Sequence, residues 1–197
     1  DNAVNNNSLS GKSYAFYRLF SGCTSIIQVS ETFLPATTLA EVCYYSMFSG
    51  CTSLTVAPEL PATTLANTCY ESMFYGCSSL STAPELPATT LADECYGYMF
   101  QGCTSLTTIP ELPATTLAGS CYKYMFSGCS SLTTAPELPA TTLTSLCYHG
   151  MFFSCRKLNY IKMLATDISA SGCLGSWVYG VSSTGTFVKN PAMTSLP

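Results

Sequence analysis

Apolar and polar positions follow one order again and again along this chain. In residues 80–105, Leu80 and Ala83 lead into Pro84, Glu85, Leu86 and Pro87, and then come Ala92, Cys95, Tyr96, Met99, Phe100 and Cys103. Placed on a helix of 3.6 residues per turn, that last group falls on one side, while Asp93, Glu94, Gly97, Tyr98 and Gln101 fall on the other. The pattern therefore predicts a helix after Thr90, with Thr90 accepting the first free amides, and Thr38 with Glu41 has capping-box spacing. Gly102 stands where a helix would end in a left-handed residue. Prolines lack the amide that a central ladder donates, so the strand opening at Leu80 is predicted to span only about three or four residues.

The same order is written five times in strict register. Gly-Cys pairs end at Cys23, Cys51, Cys77, Cys103 and Cys129, with a degenerate Ser-Cys at Cys155, in steps of 28, 26, 26, 26 and 26 residues. A second column, Cys43, Cys69, Cys95, Cys121, Cys147 and Cys173, steps by 26 throughout. A unit of this length cannot bury its apolar face alone, so copies must stack into a solenoid with atypical terminal units. The coils read as 26–53, 54–79, 80–105, 106–131 and 132–157. A capping helix within 1–25 precedes them, and a degenerate coil and C-terminal cap at 158–197 follows. Within that cap, Trp177 to Val188 reads as two short strands across a Ser-Ser-Thr-Gly turn, with Trp177, Val178, Val181 and Phe187 covering the last coil.

Short parallel strand, turn, helix and return define an α/β solenoid with strands on one face and helices on the other. Its MF-x-GC-x-SL segment followed by an apolar strand and a proline, as in Met99, Phe100, Gly102, Cys103, Ser105, Leu106, Ile109 and Pro110, resembles the BspA-like leucine-rich repeats of bacterial surface proteins, which typically carry AF-x-GC-x-SL. The resemblance covers roughly residues 13–173. The chain departs from the family in a longer helical segment, in Met before Phe, and in the second Cys column. The resemblance implies cell-surface or extracellular display, adhesion to host proteins or other cells, or a place in phage-related surface proteins.

Composition narrows the function classes. Only 9% of the residues are charged against about 25% in ordinary domains, and the net charge is −4. The seven Lys and Arg are scattered and make no basic stripe, which argues against nucleic acid as a partner. No apolar run is long enough to span a membrane and no signal peptide is present, so the chain reads as a mature or excised soluble segment. No nucleophile elbow, HExxH or phosphate loop occurs, and the single His149 sits at a variable outward position, so no enzyme and no cofactor are expected.

The twelve cysteines leave two readings open. Pairing each Gly-Cys with the next Cys-Tyr, Cys23 with Cys43 through Cys155 with Cys173, leaves no orphan and suits an oxidising compartment. Against it, eight residues of helix rise about 12 Å, beyond the roughly 7 Å that a bridge allows between Cα atoms, which favours two ladders of buried thiols. CxxC spacing, the usual zinc signature, never occurs.

Several columns are candidates for function. Among the variable outward positions, Tyr45, Tyr75, Tyr98, Tyr124 and Phe153 supply aromatic contact area among small polar residues, a composition common in binding surfaces; unconstrained drift of exposed positions is the alternative. The rival is the strand face, where Ser81, Thr82, Thr107, Thr108, Thr133 and Thr134 suit a repetitive ligand such as a glycan or an extended chain. Glu59, Glu85, Glu111 and Glu137 form a like-charge column that a calcium-like ion could bridge, although carboxylates splayed into water explain it as well. The Thr-Thr pairs at 37–38, 63–64, 89–90, 115–116 and 141–142 would suit an ice-binding face if they lay on a flat strand, but they are expected at a corner. The functional expectation is a non-enzymatic surface recognition or adhesion solenoid for a protein or glycan. A structural spacer in a surface or phage appendage is the alternative.

Overall fold

A computed structural model describes residues 7–193. One parallel sheet holds β1 (Thr134–Leu138), β2 (Tyr160–Met163) and β3 (Thr186–Lys189) in that order. The β1–β2 register breaks between Thr134 and Glu137, where Pro136 offers no amide to the ladder. In earlier coils the same line continues as single parallel bridges, Gln28 to Val56 and Thr82 to Thr108. A second line of parallel bridges joins Thr38, Thr64 and Thr90, and later Thr142 and Asp167.

The predicted helices do not form. Among the described residues the sole helical element is the 3-10 turn Glu31–Phe33. In place of each helix lies a ribbon of consecutive turns. Within one coil the amides of Cys43, Tyr45, Met47, Ser49 and Cys51 each donate to the carbonyl three residues back, at 3.0–3.4 Å. The intervening amides of Val42, Tyr44, Ser46, Phe48 and Gly50 donate to Asn67, Cys69, Glu71, Met73 and Tyr75 of the next coil, at 2.7–3.1 Å. Every fourth residue is left-handed: Val42, Ser46 and Gly50 have φ of 59°, 51° and 73°, and Thr68, Ser72 and Gly76 repeat this at 53°, 55° and 70°. The candidate caps Thr38 and Thr90 accordingly sit on the line of bridges.

Spacing explains why the ribbon displaces the helix. Adjacent strands lie about 4.8 Å apart, whereas packed helices need 8–10 Å between axes. The ribbon takes the strand spacing: Tyr44, Tyr70, Tyr96, Tyr122 and Tyr148 stack at 5.7–5.9 Å between ring centroids, and Phe48, Phe74, Phe100, Phe126 and Phe152 at 5.6–5.9 Å. Both sides of each coil thus share one rise. The buried set is nevertheless the predicted one, with Cys95, Tyr96, Met99, Phe100 and Cys103 all inaccessible to solvent or nearly so. Offsets of 0, 1, 4, 5 and 8 residues span only about 140° on a helix, so a helix and a two-in, two-out ribbon bury the same side chains.

The N-terminal helix expected within 1–25 is also absent where it is described: Tyr14, Arg18 and Gly22 carry the same left-handed conformation, and their amides bond to Glu41, Tyr45 and Ser49. Residues 1–6 lie outside the described part. At the other end no hairpin forms. Gly172, Ser176 and Gly180 are left-handed again, 26 residues after Leu146, Gly150 and Ser154, and β3 runs parallel to β2. Trp177 and Val178 take the places of Met151 and Phe152, so the C-terminal segment is a further coil in the same register.

All twelve cysteines are free thiols, and all but Cys23 are buried. Cys77, Cys103, Cys129 and Cys155 each donate from Sγ to the carbonyl of Phe48, Phe74, Phe100 and Phe126 in the preceding coil, at 3.0–3.2 Å. Burial pushes the Cys43 thiol up to about 11 and those of Cys77, Cys95 and Cys155 up to about 12, which keeps them protonated. They pack as small hydrophobes, the second of the two readings.

Candidate functional surfaces

The five outward aromatics expected to form one stripe occupy three columns of the ribbon. Tyr45 lies in the column of Tyr17, Glu71, Gly97, Lys123 and His149; Tyr98 and Tyr124 lie one residue on; Tyr75 and Phe153 lie in the column of Ser49, Gln101, Ser127 and Tyr179. The structure brings some of them together. Tyr98 stacks on Tyr124 at 5.3 Å, Tyr124 meets Phe153 edge-on at 6.4 Å, and Phe153 stacks on Tyr179 at 5.2 Å. Tyr45 instead pairs with Tyr17 at 5.2 Å, and Tyr75, 45% exposed, has no aromatic neighbour among the described residues.

Tyr179, 67% exposed, and Tyr17 were not among the expected positions, although adding 26 to Phe153 and subtracting 28 from Tyr45 reaches both. His149 is not simply solvated. It is half-buried, with Nε2 3.2 Å from the Tyr124 hydroxyl, its ring edge-on to Tyr124, and Nδ1 buried without a partner. Glycines make room for this pair. A Cβ on Gly175 would stand 2.5 Å from His149 Nδ1, and one on Gly150 would stand 2.2 Å from the Tyr124 ring.

Charges border the aromatic run. Lys123 Nζ sits 5.8 Å from the centre of the Tyr98 ring, a cation–π arrangement. Burial, and then the neighbouring Glu94 carboxylate, raise the Glu71 carboxyl to about 7, partly offset by Lys123. A half-buried acid that titrates near neutrality beside aromatic rings offers both a hydrogen-bond donor and an acceptor.

On the strand side, Ser81, Thr82, Thr107, Thr108, Thr133 and Thr134 are all exposed. Thr82 pairs with Thr108, and the Thr107 hydroxyl donates to the Ser81 carbonyl at 3.3 Å, so part of its hydrogen-bonding capacity is used inside the solenoid. Glu59, Glu85 and Glu111 are exposed, while Glu137 forms an ion pair with Lys162. Among the described residues no three His, Cys, Asp or Glu side chains group closely enough to hold a metal ion. The Thr-Thr pairs are exposed, and Thr38, Thr64, Thr90 and Thr142 lie on the second line of bridges, whereas Thr115 and Thr116 form no bridge. No helix among the described residues is long and apolar enough to cross a membrane.

A comparison with family models agrees with the repeat geometry. The family model of the BspA type leucine-rich repeat region (6 copies) matches residues 94–172. A crystal structure of a leucine-rich repeat protein from Bacteroides ovatus is similar at 18% identity and a TM-score of 0.36, covering 87% of this chain and 56% of that one. The chain thus spans little more than half the length of that protein. No curated protein sequence matches the chain. Seven left-handed ribbons recur along the described residues, and the coils on either side of the matched segment 94–172 keep its register.

Proposed function

We propose that the chain is a non-enzymatic recognition solenoid, displayed at a cell surface or outside the cell, that holds an extended protein or glycan across successive coils. The observation that carries this reading is the contiguous run from Tyr98 through Tyr124 and Phe153 to Tyr179, one aromatic contribution from each of four neighbouring coils. Flat rings at coil spacing, edged by Lys123 and the near-neutral Glu71, match the alternating apolar faces and hydroxyls of a sugar chain or the side chains of an extended peptide. Tyr and His offer that contact area at low entropy cost, since each has only two side-chain torsions.

The test is binding to defined glycan and peptide arrays by the wild type and by a variant with Ala at Tyr45, Tyr75, Tyr98, Tyr124 and Phe153. Loss of a ligand in the variant, with its circular dichroism unchanged, supports the ribbon face. Retention by the variant moves the site to Ser81, Thr82, Thr107, Thr108, Thr133 and Thr134. Absence of binding by both proteins leaves the spacer reading.

An ice-binding role is the second reading. Its support is that Thr38, Thr64 and Thr90 lie on one ladder with their side chains exposed. Thermal hysteresis in a nanolitre osmometer decides it: no hysteresis rejects the role.

A further inference from the structure

The turn ribbon has a polarity that an ordinary parallel sheet lacks. In a sheet edge, donors and acceptors alternate. Here every inter-coil backbone bond of the ribbon runs the same way, from an amide of one coil to a carbonyl of the next: Tyr14 to Glu41, Tyr44 to Cys69, Tyr96 to Cys121 and Tyr148 to Cys173 are examples from along the stack. The consequence appears at the two ends. Among the described residues, the first coil's carbonyls of Ser13, Ala15, Tyr17, Leu19 and Ser21 accept no hydrogen bond, and the last coil's amides of Gly172, Leu174, Ser176, Val178 and Gly180 donate none. Of the described coils, the first thus presents a row of acceptors and the last a row of donors, in the same register.

We propose that the two ends associate head to tail, the donor row of one copy of this chain adding to the acceptor row of a second copy to form an open-ended filament. The side chains match as well as the backbone. Continuing the coil register places Phe16 of the second copy over Leu174, Leu19 over Trp177, Phe20 over Val178 and Cys23 over Val181. These are positions that bury apolar side chains in every internal coil, yet Leu19 is 53% exposed and Cys23 is exposed. At the other end an open groove of about 350 Å³ is lined by Trp177, Val178, Val181 and Phe187, the last 39% exposed. Pairing of like ends is disfavoured, because it would set five donors against five donors or five acceptors against five acceptors. A head-to-tail contact uses two different surfaces, so it does not close at a dimer.

Sedimentation velocity of the whole chain over a concentration series is the test, with two variants that each place a charge at one end, Leu19→Lys and Val178→Lys. The expected result has three parts. The wild-type mass rises past that of a dimer without a plateau, each variant alone stays monomeric with an unchanged far-UV spectrum, and an equimolar mixture of the two variants forms a dimer and stops there. A wild type that remains monomeric at every concentration, as it would if only a further coil of its own polypeptide fitted an end, overturns the proposal. So does a closed dimer, or a dimer that either variant retains alone.

Discussion

Replacing Thr68 by Gly should stabilise this protein, and the sign of that change separates the turn ribbon from a helix. Thr68 is β-branched and holds φ at 53°, and its hydroxyl is buried without a partner. A left-handed backbone costs a residue with a Cβ about 1–2 kcal/mol. Glycine removes that cost but loses about 0.5–1 kcal/mol in chain entropy relative to Ala. The net expectation for Thr68→Gly is a gain of about 0.5–1 kcal/mol, with the orphaned hydroxyl adding to it. Thr68→Ala keeps the left-handed penalty and should lie below the Gly variant. In a helix the order inverts, with Ala above Gly by about 1 kcal/mol. Urea midpoints for the three proteins give the order directly, and thermal midpoints should move about 2–4 °C for each kcal/mol. An Ala variant more stable than the Gly variant would refute the ribbon.

Other consequences follow from the same geometry. Phe100 is fully buried and stacked on both sides, so Phe100→Ala should cost about 3–5 kcal/mol by urea denaturation, and a loss below about 1 kcal/mol would contradict the columnar core. Glu71 has its carboxyl raised to about 7, so the folded state holds a proton that the unfolded chain releases near the ordinary value of 4.5. Stability should therefore fall as pH rises from about 4.5 to about 7, by about 1 kcal/mol once screening at this half-exposed site is allowed for, and Glu71→Gln should remove that fall; a slope unchanged in the variant would assign it elsewhere. Alkylation of the native protein should label Cys23 alone and of the denatured, unreduced protein all twelve thiols, read by intact mass; fewer than twelve would restore the bridge pairing.

The 26-residue step made the coils, the thiol columns and the buried set legible from residue identities alone. The local element was not legible, because Cys95, Tyr96, Met99, Phe100 and Cys103 face one way on either a helix or a ribbon. Two cues distinguish them. The spacing is a strict four residues, which drifts about 40° per step on a helix, and the intervening left-handed positions hold Val42, Thr68, Ser72 and Gly150, poor helix formers. Taking the segment for a helix had a cost at the candidate surface. A helical wheel merges the columns of Tyr45, Tyr98 and Tyr75 into one stripe, whereas in the ribbon Tyr45 pairs with Tyr17, Tyr98 joins the run through Tyr124 and Phe153, and Tyr75 stands apart. Reading Trp177 to Val188 as a hairpin hid the last coil, and with it both Tyr179 and the donor row that ends the stack.

The claim that matters most for function is that recognition spans coils, and affinity against ligand length tests it most directly. Calorimetric titration with a graded series of one homo-oligosaccharide or one repetitive peptide, chosen from the array hits, should show affinity climbing until the ligand reaches from Tyr98 to Tyr179, a path of about 15 Å at strand spacing, and levelling off beyond it. An affinity already complete with the shortest member of the series would contradict an extended surface and assign binding to one local pocket.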